Sequence, residues 1–438
     1  MNARIGAFFG VWHRVCAARP RSVRHADEST ASTPSEGTSK QNKLSSHRHA
    51  RPATTAALPA AVAAALLALA ATPVHAIGFS QGDATLDING TVNGFYSHRT
   101  EERAGVKTTD SALTNGLLPG WINFVFTTKV EGLDIKAHVG FAPGINDKSD
   151  VVGLPSDPSC GGGTGCDSPF TQIDTRNLYF QFGNTEWGTV KLGRDIGLFG
   201  QKIILSDMTL LGLGGNSYAS TPFNTTFGMI GHGYMYTGFQ PQITYATPAF
   251  GGFSASAGIF DPNKFAGDET KDPGFQAMAN YDWTSGAAKG SVWAGAVHQR
   301  TSGAGSFNAS GFELGAKIGI GAFEAVAYGF DASGLGLSTV GALYLSPFGK
   351  TDGKGYFVQG TYTVGKTKFG LNFGENRDSG GTLADTNKFR SAAAGVYHSL
   401  NKYITLVGEY NQEKGEGADL FAGDLKTRTI SVGGILMF

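Results

Sequence analysis

The sequence is poor in several features that define common protein classes. It has 3 cysteines in 438 residues, too few for a disulfide scaffold, and 16 prolines. Beyond residue 76, no stretch approaches the roughly 20 continuous apolar residues of a membrane-spanning helix. Neither charge predominates, because 35 basic residues face 35 acidic ones. These shortages exclude a disulfide-rich scaffold and a membrane protein made of helices.

Glycine and aromatic residues are plentiful instead. The chain has 64 Gly, 30 Phe and 14 Tyr. A soluble globular protein usually contains less glycine and fewer aromatic side chains. The composition therefore favours a class of protein in which aromatic residues need not all be buried in a core.

The first 76 residues predict an export leader. Arg48, His49 and Arg51 form a basic start, residues 60–71 are apolar, and Val74-His75-Ala76 fits the small-x-small cleavage rule. We predict a signal peptide over about 46–76, removed with everything before it, and a mature domain over 77–438. A membrane anchor is the alternative, but the apolar run is short and rich in alanine.

Removal of this leader changes the charge. Residues 1–76 contain nine of the basic residues and three of the acidic ones, so residues 77–438 carry 26 basic and 32 acidic residues, a formal charge of −6. A nucleic-acid-binding protein requires the opposite sign. We therefore expect no nucleic-acid partner.

Apolar and polar residues alternate from residue 83 to the end. The last ten residues, TISVGGILMF, illustrate the pattern, with one face formed by Ile430, Val432, Gly434, Leu436 and Phe438. Such a period of two predicts a β-strand with one apolar side. Roughly sixteen such segments of about ten residues follow one another, and a tilted strand of that length crosses a bilayer.

The connections distinguish a membrane barrel from a soluble β-sandwich, which also alternates. Tight turns such as Glu131-Gly132 alternate with long loops, predicted at 98–119, 142–170, 195–238, 261–273, 331–354, 376–387 and 413–425. Short turns on one side and long loops on the other are typical of transmembrane barrels. The sheet must close in a bilayer, and a barrel of this size leaves an aqueous lumen. We expect the last strand to pair with the first, near 84–97, and Trp121 to lie at the lipid interface.

Four stretches resemble the trimeric general porins of Gram-negative outer membranes. They are WGTVKLGRDIGLFGQ (187–201), SDMTLLGLGG (206–215), YHSLNKYITLVGEY (397–410) and the terminal Phe438. The resemblance implies an all-β, 16-stranded antiparallel barrel with short periplasmic turns, long extracellular loops and a third loop, 195–238, folded into the lumen. Phe438 would then be the assembly signal. One departure is that Leu211-Gly212 replaces the Pro-Glu common in the family, so strong cation selectivity is not expected.

The same resemblance implies function and partners. We expect an outer-membrane channel for passive diffusion of ions and small hydrophilic solutes. It implies a homotrimer in contact with membrane lipid and lipopolysaccharide, inserted by the outer-membrane assembly machinery, with no cofactor and no metal. The alternative is a substrate-selective porin for a sugar, a phosphate or an organic acid. A structural or adhesive barrel is a further alternative.

Charges at the narrowest point would set the selectivity of such a pore. The candidates on the loop are Asp195 and Asp207. The candidates on the wall are Lys129, Lys136, His138 and Lys191, which share the polar parity, together with Arg176 and Arg194. The two arginines fall on the apolar parity unless a β-bulge intervenes. A solvated charge without a selective role is the alternative for each of them.

Cys160 and Cys166, in CGGGTGC, predict a small disulfide ring in an oxidising compartment. The alternative is that the two cysteines bind a metal, but no histidine lies nearby in the sequence to join them. An outer-membrane hydrolase would need a positioned base. The histidines of the mature chain have no serine or acid at a catalytic spacing, so we expect no enzyme and no catalytic residue.

Overall fold

The computed structural model describes a defined part of the chain, namely residues 76–145, 173–215, 225–261, 272–300, 307–340, 348–419 and 424–438. The predicted leader lies outside these residues apart from Ala76. The predicted Cys160–Cys166 disulfide also lies outside them and stays a prediction. No helix of the described part is long and apolar enough to cross a membrane.

One antiparallel sheet of eighteen strand segments makes up nearly all of the described structure. The segments are β1 Ile77–Gln81, β2 Ala84–Arg103, β3 Val106–Thr114, β4 Trp121–Val130, β5 Leu133–Pro143, β6 Ile173–Asn184, β7 Gly188–Ile196, β8 Phe239–Ala246, β9 Phe253–Phe260, β10 Gly274–Ser285, β11 Ala288–Arg300, β12 Asn308–Ile320, β13 Phe323–Ser333, β14 Thr351–Val364, β15 Thr367–Gly380, β16 Asn387–Ser399, β17 Ile404–Glu416 and β18 Leu425–Met437. A short helix, α1 Gln201–Ile204, and two 3₁₀ turns, Met208–Leu211 and Ser338–Val340, complete the set.

The sheet closes into a barrel of sixteen strands. The last segment, β18, pairs with β2 from Leu425↔Arg103 to Met437↔Thr91. β1 pairs with residues 84–88 of β2, on the same side of β2 as β18, and continues the line of β18. On the other side of β2, β3 pairs with residues 95–103 and β4 pairs with residues 85–91. Eighteen segments therefore form sixteen barrel strands, and the predicted fold is confirmed.

The alternation read from the sequence separates the outside of the barrel from the inside. On β18, Ile430 and Val432 point outward and are 55% and 54% exposed in the single chain, whereas Thr429 and Ser431 point inward and are 2% and 3% exposed. Hydrocarbon favours the apolar face, and every backbone group pairs within the sheet. An apolar final strand is therefore stable on this surface.

One predicted loop is wrong. Residues 98–119 were expected to form a long connection, but β2 and β3 continue as a hairpin that turns at Ala104-Gly105. Both turn residues have positive φ, 48° and 80°. The physical reason is that the Thr-rich strand β3 still favours extended backbone where its outward face has become polar. Between β7 and β8, in contrast, the described residues 197–215 and 225–238 form no barrel strand.

Candidate functional site

Residues 197–215 and 225–238 contact the inner wall on the far side of the barrel. The backbone N–H groups of Leu198 and Phe199 donate to Oε1 of Gln276 on β10, at 2.8 and 3.0 Å. Met208 N donates to Oε1 of Gln359 on β14 at 2.7 Å, and Gly233 N donates to Oδ1 of Asn376 on β15 at 2.8 Å. These partners are inward-facing side chains of separate strands. The segment therefore runs inside the barrel along β10 to β17, and we call it the inner loop.

Local sequence explains the conformation of the inner loop. Gly200, with φ of 80°, precedes α1, a position that favours glycine. Asp207 then caps the first 3₁₀ turn by accepting the N–H of Thr209 at 2.9 Å. Most of the described apolar residues of the segment are buried, with Ile203, Leu213 and Met229 all at 0% exposure. They pack in one cluster with wall residues that include Trp293 and Phe357.

Wall carboxylates fasten the inner loop. Oε2 of Glu313 on β12 accepts the N–H of Gly200 at 2.8 Å and the hydroxyl of Tyr328 at 2.8 Å. Nε2 of His232 in the loop lies 2.9 Å from Oε1 of Glu413 on β17. No motif in the sequence marks these two acids as functional. Both acids occupy inward-facing positions of their strands, and a charge buried at such a position needs a partner. This position in the alternating pattern could have indicated their role.

Asp207 does not face the lumen, which contradicts its predicted role as a pore-lining charge. Its side chain is 0% exposed. It accepts hydrogen bonds from the Thr209 hydroxyl and the Tyr234 hydroxyl, each at 2.7 Å, and from Asn372 on β15 at 3.3 Å. Burial raises the pKa of the Asp207 carboxyl, although its bonds to Tyr234 and Thr209 act in the opposite direction. The carboxylate is thus a structural cap.

Asp195 was expected on the loop, but it lies on β7. It is 2% exposed and forms an ion pair with Lys191, four residues earlier on the same strand. Nδ2 of Asn177 on the neighbouring strand β6 donates to its Oδ1 at 2.8 Å. Asp195 therefore belongs to the wall, where its charge is paired.

The inner face of the wall from β4 to β7 carries a cluster of polar side chains, three of which were expected there from their polar parity in the sequence. Nζ of Lys191 lies 5.0 Å from the ring centre of Tyr179 on β6, and Nζ of Lys136 on β5 lies 5.9 Å from the same ring. His138 contacts the Tyr179 hydroxyl at 3.3 Å and Oδ1 of Asn123 on β4 at 2.9 Å. We call Lys136, His138, Tyr179 and Lys191 the basic wall. Its two ammonium groups converge on one aromatic ring.

The comparison with known families fits this geometry. A family model described as Gram-negative porin matches residues 53–418, which is most of the chain. The chain belongs to this family. It is an outer-membrane channel for passive diffusion. No curated protein matches the sequence.

Solved porins share the barrel at low sequence identity. The outer membrane channel DcaP of Acinetobacter baumannii is 17% identical, with a TM-score of 0.59, over 82% of this chain and 99% of that one. An anion-selective porin from Comamonas acidovorans is 17% identical, with a TM-score of 0.56, over 81% and 100%. OmpT of Vibrio cholerae, in a trimer form, is 15% identical, with a TM-score of 0.50, over 82% and 100%. At these identities the likeness concerns the fold.

A β-bulge brings one of the two arginines into the porin lumen. Gly140 on β5 pairs with Asn177, but the next residue, Phe141, pairs with Thr175, so Arg176 is the extra residue of β6. Its guanidinium lies 5.8 Å from the ring centre of Trp121, and its Nε bonds Asp174 at 3.1 Å. Trp121 itself is 7% exposed and faces inward, so its predicted place at the lipid interface is wrong.

The remaining wall candidates lie away from this group. Arg194 on β7 is exposed and pairs with the outward residues Leu178 and Pro241, so it points out of the barrel rather than into the pore. No bulge shifts the register of β7 at Arg194, so this residue keeps the outward orientation that its place in the alternating pattern predicts. Lys129 lies beside the β4–β5 turn, where its Nζ is 3.3 Å from Asp134 and its side chain is 65% exposed.

Proposed function

We propose that this porin passes small hydrophilic solutes with a weak preference for anions, set by the basic wall and Arg176. One observation carries the proposal. The ammonium groups of Lys136 and Lys191 both approach the Tyr179 ring on the inward side of the wall, whereas the expected opposing acid on the loop, Asp207, is buried. A pore selects by its radius and by the charges left at its lining.

The burial of several acidic side chains supports the preference for anions. Residues 77–438 have a net negative formal charge, which by itself would favour cations. However, Asp207, Glu313 and Glu409 are buried and hydrogen-bonded to the inner loop, so they are withdrawn from the solution. Lys136, in contrast, has no ion pair with any described residue, while Asp195 offsets the charge of Lys191. Cations thus prevail on this part of the lining.

One structural neighbour is described as anion-selective, but at 17% identity it supports only the fold. The sign of the selectivity therefore depends on Lys136 and Lys191 themselves. We expect Asp207→Asn to leave the reversal potential unchanged, because a buried carboxyl contributes little field to the water-filled lumen.

Reversal potentials across a planar bilayer in a KCl gradient test the proposal. Lys136→Gln and Lys191→Gln should each move the reversal potential toward cations. Lys129→Gln is the matched control, because Lys129 shares the inward parity but lies at the turn and is paired with Asp134. A wild-type channel that prefers cations, or equal shifts for all three variants, would contradict the role of the basic wall.

The assembly and export of the chain are part of the same proposal. We infer a homotrimer, as one neighbour is described in a trimer form, inserted by the outer-membrane assembly machinery among lipid and lipopolysaccharide. We also infer that the leader is cleaved before Ile77, the residue with which β1 begins. N-terminal sequencing of outer-membrane material tests the cleavage, and a start before residue 60 would contradict it.

A further inference from the structure

A row of inward-facing asparagines crosses the inner wall next to the basic wall. Asn89 on β2 is directly opposite Asn123 on β4, Asn123 is opposite Gly140 on β5, and Gly140 is opposite Asn177 on β6. Nδ2 of Asn123 donates to Oδ1 of Asn89 at 3.0 Å. We call these four residues the amide row. It presents amide groups, which both donate and accept hydrogen bonds, at one level of the lumen.

Gly140 leaves a gap in the amide row. A Cβ at this position would lie 2.8 Å from Nε1 of Trp121, 2.8 Å from Oδ1 of Asn123 and 2.9 Å from Oδ1 of Asn177. Three polar atoms therefore converge on a space that a larger residue would fill. We call this space the niche.

Two of the three polar atoms at the niche lack a partner. Nε1 of Trp121 and Oδ1 of Asn177 are buried, and neither makes a hydrogen bond with any residue that the structure describes. Buried polar groups are rarely left in this state. An indole N–H only donates and an amide oxygen only accepts. A hydroxyl group can accept from the first and donate to the second, so it is the chemical complement of the niche.

Cations flank the niche on both sides. Toward the turns, Asn177 donates to Oδ1 of Asp195 at 2.8 Å, and Asp195 forms the ion pair with Lys191 of the basic wall. Toward the loops, Arg176 precedes Asn177, and its guanidinium lies 5.8 Å from the ring centre of Trp121. Asn123, beside the niche, is only half-buried, which leaves the amide row open to the lumen.

We propose that the niche makes this porin selective, among organic anions, for carboxylates that carry hydroxyl groups, namely sugar acids. One hydroxyl accepts from Trp121 and donates to Asn177, while the carboxylate lies against the flanking cations. Successive inward positions on a strand are about 7 Å apart, so a hexose-sized molecule spans the distance from the niche to the next level of the wall.

The inference rests on the proposed preference for anions and adds a requirement for hydroxyl groups, which the basic wall alone would not impose. A site built to hydrogen-bond a hydroxyl discriminates against the analogue that lacks it, because its polar groups then stay unpaired. The predicted solute therefore needs both features, a negative charge and a hydroxyl.

Block of the KCl current through the purified protein in a planar bilayer tests the inference, because a bound solute occupies the pore and lowers its conductance. Three probes of similar size separate the two features: glucuronate, glucose and cyclohexanecarboxylate. Glucuronate should reach half-maximal block at a roughly tenfold lower concentration than either of the others. Equal block by glucuronate and cyclohexanecarboxylate, or by glucuronate and glucose, would overturn the inference.

Trp121→Phe removes the N–H group and keeps an aromatic ring. It should raise the half-blocking concentration of glucuronate about fivefold, the effect of one hydrogen bond, and narrow the difference from cyclohexanecarboxylate. Trp293→Phe is the matched control, because Trp293 is also a buried, inward tryptophan whose Nε1 has no partner among the described residues, but it packs in the cluster with the inner loop. Its block by glucuronate should equal that of the wild type. Equal effects of the two variants would contradict the role of the niche.

The wild-type reversal potential in KCl alone separates this inference from the proposed function. A channel that prefers anions but is blocked equally by the two carboxylates refutes the niche and leaves the anion preference intact. A channel that prefers cations refutes both. The comparison of the three probes uses the wild type, so it stands even where a variant yields little folded protein.

Discussion

Oε2 of Glu409, on β17, lies 2.8 Å from the backbone nitrogen of Gly214 in the inner loop. The same oxygen accepts the N–H of Leu213 at 2.8 Å, and the other oxygen accepts the Tyr397 hydroxyl at 2.6 Å. A Cβ on the nearby Gly212 would lie 2.1 Å from Oε1 of Glu409, so a larger residue there would displace this carboxylate. A wall acid, rather than apolar packing alone, thus fixes the inner loop at Leu213 and Gly214.

Glu409→Ala should loosen the inner loop. The substitution leaves two buried N–H groups and one hydroxyl without their acceptor, which costs about 1–3 kcal/mol for each unsatisfied group. We expect noisier single-channel currents and a lower temperature of unfolding in heat-modifiability gels. Glu324→Ala is the control, because Glu324 on β13 is an inward acid that pairs with Lys317 instead. Equal noise in both variants would show that Glu409 does not anchor the loop.

Asp207→Asn should alter the pH dependence of stability and leave the reversal potential unchanged. Burial raises the pKa of Asp207 above its ordinary 3.8, so the folded state binds more protons than the unfolded state between that value and the folded pKa. Stability from this group is fully present below 3.8 and declines as pH rises through the window. The variant should therefore gain stability relative to the wild type as pH rises. A constant difference across pH would refute this assignment.

Arg176→Gln and Arg194→Gln should differ, although both arginines fall on the apolar parity of the sequence. Arg176 points inward through the bulge, and its removal leaves Asp174 unpaired, so the reversal potential should move toward cations and stability should fall. Arg194 points outward, so its variant should conduct like the wild type. Measurement of both in one KCl gradient checks this, and a shift with Arg194→Gln alone would contradict the register.

Deletion of Phe438 should impair closure of the barrel. Its backbone N–H donates to the Gly90 carbonyl at 3.0 Å, and its own carbonyl accepts the Gly90 N–H at 2.9 Å. Loss of both bonds costs about 1–3 kcal/mol, and the predicted assembly signal would be lost as well. We expect much less heat-resistant protein in the outer membrane. Ile430→Ala, an outward substitution on the same strand, should reduce it far less.

The period-two alternation of the sequence by itself predicts most of the fold. Alternation at period two predicts which residues face lipid, because hydrocarbon and water impose opposite preferences on the two sides of every strand. Ile430 and Val432 on one side and Thr429 and Ser431 on the other follow this rule. The closure of the last strand against the first also follows, since an open edge is not tolerated in a bilayer.

Tertiary structure alone decided which charges reach the lumen. The bulge at Arg176 reverses the parity of one residue, and no local pattern marks it, because it arises from the register between β5 and β6. Asp207 reads as a loop acid in sequence, yet it is buried because the inner loop packs against β15. Glu313 and Glu409 acquire their roles only when distant strands close around that loop. Such contacts join residues more than a hundred positions apart, where the hydrophobic period carries no information.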